Sequence, residues 1–312
     1  MPSRRSTAQF NAPLTAYAYG LMQDRLATFA LANLICPIVQ VGAATGTFKI
    51  FDDRNAFSAP ETARALGGPR TRITHDAADG TYACKPQGIE IGLDDFEADL
   101  GGPNMPADKQ AQLKIRTLTS QKATSYAKRV ADFAFANLTP VPQRGNWSND
   151  DIDPIDQLDE QLDAISLDTG TTENKALILS VAEWRALRTN AKVKQRLGLK
   201  DNLSLKREML IDGLLYPVKL EISGVTYTPT KRGQAAAAKA RVMAGYALIV
   251  HTEPNPTEND PSAFKCFSTS DVLMGDVKEY REEQSSSDIY ATDWSEDIKK
   301  TGESCARLLV IS

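Results

Sequence analysis

Side chains able to do chemistry are sparse in this sequence. Two histidines, His75 and His251, and four cysteines, Cys36, Cys84, Cys266 and Cys305, are its whole complement of nitrogen and sulfur metal ligands, with no CxxC pair among them. A structural zinc needs four such donors converging from closely spaced pairs, so no metal site is expected. His75 stands beside Asp76 in turn-forming sequence, with no serine or cysteine motif near it to serve as a nucleophile, and reads as a surface histidine. His251 ends an apolar run, and Glu253 two residues on would share its strand face. The two could form an acid/base pair or, more commonly, a cross-strand contact.

The remaining motifs fail on spacing. Asp150, Asp151, Asp153 and Asp156 gather carboxylates but lack the glycine and the closing glutamate of an EF-hand, and they suit a helix entry where the N-terminal dipole favours acids. In VGAATGTFK, Gly42 and Gly46 lie too close together for GxxxxGK[ST] and lack its strand-to-helix context. RGQAAAAKAR holds one glycine and cannot supply the nest of backbone N–H groups that cradles a phosphate; it reads as a helix or packing segment. The sequence therefore predicts no catalytic, cofactor-binding or metal-binding residue, no cofactor and no enzyme.

The elements that would position such residues are plentiful. With 312 residues, 42% hydrophobic and 24% charged, the chain can bury a sizeable core without disulfide or metal staples. Its widely spaced cysteines suit reduced thiols in a reducing compartment. The apolar stretch from Phe29 to Val41 is broken by Asn33 and Pro37, so neither a membrane span nor a secretory signal fits. A net charge of −4 offers no basic field for tight nucleic-acid binding.

A polar start carrying Arg4 and Arg5 reads as an arm ordered by contact with something else, followed by one helix from Leu14 to Leu34 that Pro37 stops. Strands over Thr47 to Asp52 and Thr81 to Leu93 flank turn-rich sequence with Arg64, Gly67, Gly68, Arg70 and Arg72, which predicts a long two-stranded finger. Such a finger is marginal alone and must dock on its own or a neighbouring chain. A helix then runs from Pro106 and Asp108 to about Leu138, with Ile115, Leu118, Tyr126, Val130 and Phe133 on one face and Lys122 interrupting it. Asp153 and Pro154 open another helix that Gly170 closes, and Ala176 to Ser180 reads as a short buried strand before a helix with a Ser180/Glu183 capping box. Nine acids and no Lys or Arg lie between Asp150 and Asn174, whereas eight bases and one acid lie between Arg185 and Arg207. That segregated charge suits pairing across a subunit boundary slightly better than nucleic-acid binding. The C-terminal strands FKCFSTS, VKEY, DIYATD and ARLLVIS are short, and the class is α+β.

In that order the segments resemble the major capsid proteins of tailed bacteriophages, the Hong Kong 97-type fold. The resemblance is carried by GTFKIFDDRNAF leading through APETARALGGPRTR to TYACKPQGIEIGLDD, by DPIDQLDEQLDAISLDTGTTENKALILSVAEWRALRTNAKVKQRL, and by FKCFSTSDVLMGDVKEYREEQSSSDIYATDWSEDIKKTGESCARLLVIS. It implies an N-terminal arm over 1–44, an extended β-loop over 45–100, a peripheral domain with a long spine helix over 101–150 and 256–312, and an axial domain over 151–255. It further implies a shell of pentamers and hexamers around double-stranded DNA, residence in the virion and, during assembly, in the host cytoplasm, with no membrane partner. The partners implied are other copies of the chain, a separate scaffolding protein, a portal protein, a decoration protein and weak non-specific contact with packaged DNA. Some relatives cross-link a loop lysine to a neighbour's asparagine. Here the loop's lysines, Lys49 and Lys85, lie in its flanking strands, away from the tip. Two alternatives stay open: an encapsulin-like compartment of the same fold, and a cytosolic α+β enzyme with an unrecognised site.

Overall fold

A computed structural model of the chain describes residues 9–24, 26–50, 57, 59–64, 66–68, 70–72, 78–100, 106–142, 145–200, 203–229, 238–253, 255–257, 260–270 and 276–311. The chain begins with strand β1 (Gln9–Phe10), helices α1 (Ala12–Asp24) and α2 (Leu26–Ile35) and strand β2 (Ile38–Gln40). Asn11 caps α1, its Oδ1 accepting the Leu14 N–H at 3.0 Å; Pro37 follows the end of α2 closely, as the sequence predicts, but the one helix expected from Leu14 to Leu34 is two, α1 and α2.

Strands β3 (Thr45–Lys49) and β4 (Asp79–Ala83) form the base of the finger. The finger is shorter than its sequence suggests. The expected strand from Thr81 to Leu93 splits at Cys84, and its longer part, β5 (Lys85–Asp94), leaves the hairpin to join another sheet; Asp52, the expected end of the first strand, lies outside the described residues. A short helix α3 (Asp95–Leu100) leads to the long helix α4 (Ala107–Asn137), whose 31 residues span about 45 Å.

The next segment supplies strand β6 (Pro140–Val141), helix α5 (Pro154–Thr169), strand β7 (Lys175–Ser180), helices α6 (Val181–Thr189), α7 (Ala191–Arg196) and α8 (Arg207–Asp212), and strands β8 (Val218–Ser223), β9 (Thr226–Tyr227), β10 (Ala240–Arg241) and β11 (Tyr246–His251). Helix α5 has the expected ends. Asp153 accepts the Ile155 and Asp156 N–H groups at 3.0 and 3.3 Å, Pro154 takes the first helical position, and Gly170 closes the helix at φ 67°. At α6 the capping box closes differently: Ser180 Oγ accepts the Ala182 N–H, while the Glu183 carboxylate takes the Ser180 hydroxyl and the Gly245 N–H. The chain ends with β12 (Phe264–Ser268), β13 (Val277–Glu282), β14 (Ser287–Lys300) and β15 (Ala306–Val310).

Besides the β3–β4 hairpin and a β9–β10 pair, these strands form two larger sheets. In the first, β14 pairs with β13 and β5 along its opposite edges and with β12 near its end; β1 adds to β13, and β2 adds parallel to β12. The short strand expected from DIYATD is thus part of a 14-residue strand. Its second half, Trp294 to Lys300, is too rich in charge to read as a strand by pattern, but it pairs with β5 up to Glu296 and with β12 beyond, with Trp294 and Glu296 buried and the rest half-buried. The second sheet runs β6, β15, β11, β7, β8. Alternation divides its side chains between two cores. Ala176, Ile178, Leu248, Val250 and Leu308 face one, while Leu177, Leu179, Ala247, Ile249 and Leu309 face the other with Leu158, Leu162 and Ile165 of α5.

Helix α4 joins both sheets to α2. Ala123, Tyr126, Ala127, Val130 and Ala134 are buried in the core shared with α2, β12, β14 and the second sheet. Phe133 meets Phe264 edge-on at 5.9 Å and Phe135 stacks on Tyr246 at 4.9 Å. Lys122, the break in the expected stripe, is buried with its Nζ 4.5 Å from the centre of the Trp294 ring. Trp294 Nε1 donates to Glu296 at 2.9 Å, and Arg129 Nε reaches the same carboxylate at 2.7 Å. The cation is therefore part of the helix-to-sheet contact.

Small residues on this face permit the close packing. Ala127→Leu should force side chains off their preferred rotamers and cost about 1–3 kcal/mol or more, whereas Leu113→Ala on the exposed side should change stability by about 0.5 kcal/mol or less. Urea unfolding of the free subunit measures both.

Candidate assembly surfaces

The finger is held at its base by aromatic packing. Gly46 faces Tyr82 and Phe48 faces Gly80 across the β3–β4 ladder, and each ring lies flat over the glycine opposite, where any Cβ would collide with it. With the rings so placed, Tyr82 stacks on Phe267 of β12 at 4.6 Å and Phe48 stacks on it at 5.0 Å. Asp297 Oδ2 accepts the Ala83 N–H at 2.7 Å and fastens the second strand. The docking that a lone hairpin requires thus occurs on the chain's own first sheet.

Beyond this base the finger presents charge. Arg64, Arg70 and Arg72 are exposed, and Leu66 among them is fully exposed. Arg64 Nη1 donates to the Gly68 carbonyl at 3.1 Å, and Gly67 takes φ 80°, a turn conformation natural to glycine. Phe57 lies against Gly170 at the end of α5. Lys49 pairs with Asp79 at 2.5 Å in the hairpin base, and Lys85 begins β5, so both loop lysines sit in flanking strands as read from the sequence.

The segregated charge is partly spent within the chain. Arg196 binds Asp159 at 2.9 Å and Asp153 at 3.3 Å, Asp163 accepts the Tyr216 hydroxyl at 3.0 Å, and Arg307 pairs with Asp168. These contacts correct the expectation that the whole acidic run is available to a neighbour. Folding brings α5 beside α7, so part of the run finds its counter-charge locally. Arg188 and Lys192 remain exposed and enter no ion pair among the described residues.

Of the residues singled out for chemistry, His251 and Glu253 come together among the described residues. His75 and Asp76 lie outside the described residues, as does most of RGQAAAAKAR; its end, Ala240–Arg241, forms β10. His251 is fully buried, with Nε2 3.2 Å from Glu253 Oε1, and burial holds its pKa below the usual value against the pull of that carboxylate. It is a core residue with a carboxylate neighbour. Asp150 accepts the Ala191 N–H at 2.8 Å, Asp153 caps α5, and among the described residues no three His, Cys, Asp or Glu side chains cluster to hold a metal. All four cysteines are free, and burial pushes the Cys266 and Cys305 thiols up to about 12. Gly46 belongs to β3 and serves the hairpin.

A cavity of about 950 Å³ opens between α2, the start of β7 and the start of β8, with Asn33, Glu173, Lys175 and Glu253 among its lining. The lining includes no serine, cysteine or histidine among the described residues; of its other polar side chains, Thr252 Oγ1 donates to the Leu34 carbonyl at 2.8 Å and Lys175 Nζ to the Thr171 carbonyl at 2.7 Å. No described helix is long and apolar enough to cross a membrane. Trp147 is the large residue that pattern reading missed. Fully buried, it donates Nε1–H to Gln157 at 3.1 Å, and its carbonyl accepts from Asn190. Its polar neighbours in the sequence conceal it.

No family model matches the chain, and no curated protein does. Solved structures do. A phage-related protein from Bordetella bronchiseptica RB50 superposes with a TM-score of 0.73 at 16% identity, covering 97% of this chain and 98% of that one. The putative capsid protein of a prophage of E. coli CFT073 gives 0.52 at 13% identity over 98% and 99%, and the capsid of cyanophage P-SCSP1u gives 0.52 at 9% over 88% and 84%. Likeness over nearly whole chains establishes the fold: α+β and of the Hong Kong 97 type, as the sequence implies.

The hairpin base yields a direct test. Gly80→Val should displace the Phe48 ring and loosen the finger from Phe267, while the α4 core stays intact. Limited proteolysis should then cut near the finger at least about tenfold faster, with a stability loss of about 1–3 kcal/mol or less. Unchanged cleavage would show that the aromatic contacts do not hold the base.

Proposed function

We propose that this chain is the major capsid protein of a tailed phage, a structural subunit whose copies close into an icosahedral shell around double-stranded DNA. The observation that carries this reading is the fold shared nearly end to end with a phage-related protein and with the capsid protein named for a prophage, and over most of its length with a cyanophage capsid. The disposition of residues supports it, because the chain projects a charged finger and, among the described residues, gathers no cluster of metal ligands. In this reading residues 1–44 are the arm, 45–100 the extended loop, 101–150 with 256–312 the peripheral domain built on α4, and 151–255 the axial domain. Pentamers and hexamers form through these parts, with a scaffolding protein, a portal and a decoration protein as partners, first in the host cytoplasm and then in the virion. Exposed contacts are each worth about 0–1 kcal/mol, so closure of rings must make many of them act together.

A compartment enclosing protein is the second reading. The fold is also similar to that of a virus-like particle from Pyrococcus furiosus, with a TM-score of 0.50 at 11% identity over 91% and 97% of the chains, a match that does not depend on a phage. Electron microscopy of the chain purified from its native source decides between them. Closed particles holding nuclease-protected DNA support the capsid, particles filled with protein support the compartment, and a soluble monomer at every concentration contradicts both.

Deleting 59–79 and closing β3 to β4 with a short Gly-Ser turn should leave a folded subunit by circular dichroism, since the hairpin base lies outside the deletion apart from its first residue, Asp79. Light scattering should show no stable shells; full-sized stable particles would remove the finger from assembly. Denaturing electrophoresis of mature particles should give a single band near 34 kDa, because both loop lysines sit in flanking strands. A ladder surviving boiling and reductant would reveal a covalent cross-link elsewhere.

A further inference from the structure

The chain leaves the second sheet for the first through the residues after β11, and several elements are fastened there. Thr252 Oγ1 donates to the Leu34 carbonyl of α2 at 2.8 Å, and the Thr252 N–H donates to the Asn174 carbonyl, just before β7, at 3.1 Å. The Glu253 carboxylate accepts the Asn174 side-chain amide at 3.2 Å, and the Glu253 N–H donates to Ser262 Oγ, ahead of β12, at 3.4 Å. Ties to three other parts of the chain thus rest on two consecutive residues. His251, the last residue of β11, precedes them and shares the same carboxylate through Nε2.

The buried ring is poorly placed to hold a second proton. Its Nδ1 is buried without a hydrogen-bond partner, and the Glu173 backbone approaches it without hydrogen-bond geometry. An imidazolium donates from both nitrogens, so its second N–H would be left without an acceptor, at a cost of about 1–3 kcal/mol. Lys175 stands opposite His251 in the β7–β11 ladder, which would set the new charge beside an ammonium. The remaining charged groups of the neighbouring elements are directed elsewhere. Lys175 Nζ is held by the Thr171 carbonyl, with Asp163 of α5 near enough to favour its charge. Asp260 pairs with Lys265 of β12 at 3.1 Å, Asp168 of α5 pairs with Arg307 of β15, and Glu173 is exposed. Helix α2 contains no titratable residue. Among the described residues, Glu253 is therefore the carboxylate that meets the ring.

We propose that His251 is an acid-sensitive latch: proton uptake by its ring opens the end of β11 to water and releases the ties that Thr252 and Glu253 make to α2, to Asn174 and to Ser262. The charged ring is stabilised only where water reaches it, and the cavity beside α2 already touches Asn174, Thr252 and Glu253. Burial lowers the ring's pKa most, Glu253 opposes burial and Lys175 adds to it, so in the fold His251 titrates below the 6.5 of a free histidine. The stability conferred by the uncharged ring is therefore full above about pH 6.5 and is lost as the pH falls through the folded value. This device belongs to the subunit and does not depend on the assembly reading.

Because the chain has only two histidines, proton titration followed by NMR of their Cε1–H groups reads His251 directly. His75→Gln leaves His251 as the single histidine signal, which should titrate below pH 6.5. Limited proteolysis by thermolysin should cut near Glu253 about fivefold or more faster at pH 5.5 than at pH 7.5, since linkage to one proton allows about tenfold per pH unit. In His251→Gln, which keeps an amide donor toward Glu253 but cannot take up a proton, the two rates should agree within about twofold after correction for the protease's own pH dependence. A His251 signal that titrates at or above pH 6.5, a wild-type cleavage rate that does not change with pH, or an equal acid response in His251→Gln would overturn the latch. The NMR titration needs only the His75→Gln chain, so it decides the question even if His251→Gln does not fold.

Discussion

A helix can face two sheets at once only if the side chains along its contact faces let the backbones approach. In α4, Ala123, Ala127, Ala131 and Ala134 give that approach, and Tyr126 and Val130 fill the space it leaves, with Phe29 of α2 6.1 Å from the Tyr126 ring. The first sheet meets the helix through Trp294 and Phe264, and the second through Tyr246. Buried Lys122 and the Arg129–Glu296 pair add a polar constraint, because a cation placed there must keep its aromatic and carboxylate neighbours in position. Everything that projects from the molecule is anchored to an element this helix touches or to that element's neighbour.

From that anchor the outer parts follow. Strand β12 places Phe267 under the hairpin base, and β14 carries β5 toward α3. The second sheet holds α5 and the helices after it on the face turned away from α4. The finger tip thus extends from rigid elements but lies outside the packed cores, a placement suited to contacts that form and break during assembly without unfolding the subunit.

Much of this was legible in the sequence, and the reasons for the remainder are physical. Helices α4 and α5 declare themselves because caps and periodicity are local signals, and Asp153, Pro154 and Gly170 mark the ends of α5 within a residue. The four alanines on α4 were not read as a packing surface, since a small residue carries no hydropathy signal that separates a tight interface from a solvated face. The finger was drawn too long because β5 pairs with β14, some 200 residues away, and pairing partners are not encoded in local alternation. For the same reason the charged second half of β14 is not legible as a strand, since its pairing with β5 and β12 is non-local. Of the candidate surfaces, the finger was visible from its arginines and glycines. The segregated charge was read correctly as a pattern, but its partial closure through Arg196 depends on how α5 and α7 meet.

The central claim is that a rigid core, built on α4, presents projecting segments whose ordering comes from other copies of the chain. Amide hydrogen exchange compared between free subunits and assembled particles tests it most directly. Protection should be high and equal in both states over α4, β11 and β12, and should rise on assembly in the finger tip around Leu66. Equal protection of that segment in both states, or a gain spread evenly through the α4 core, would contradict the account.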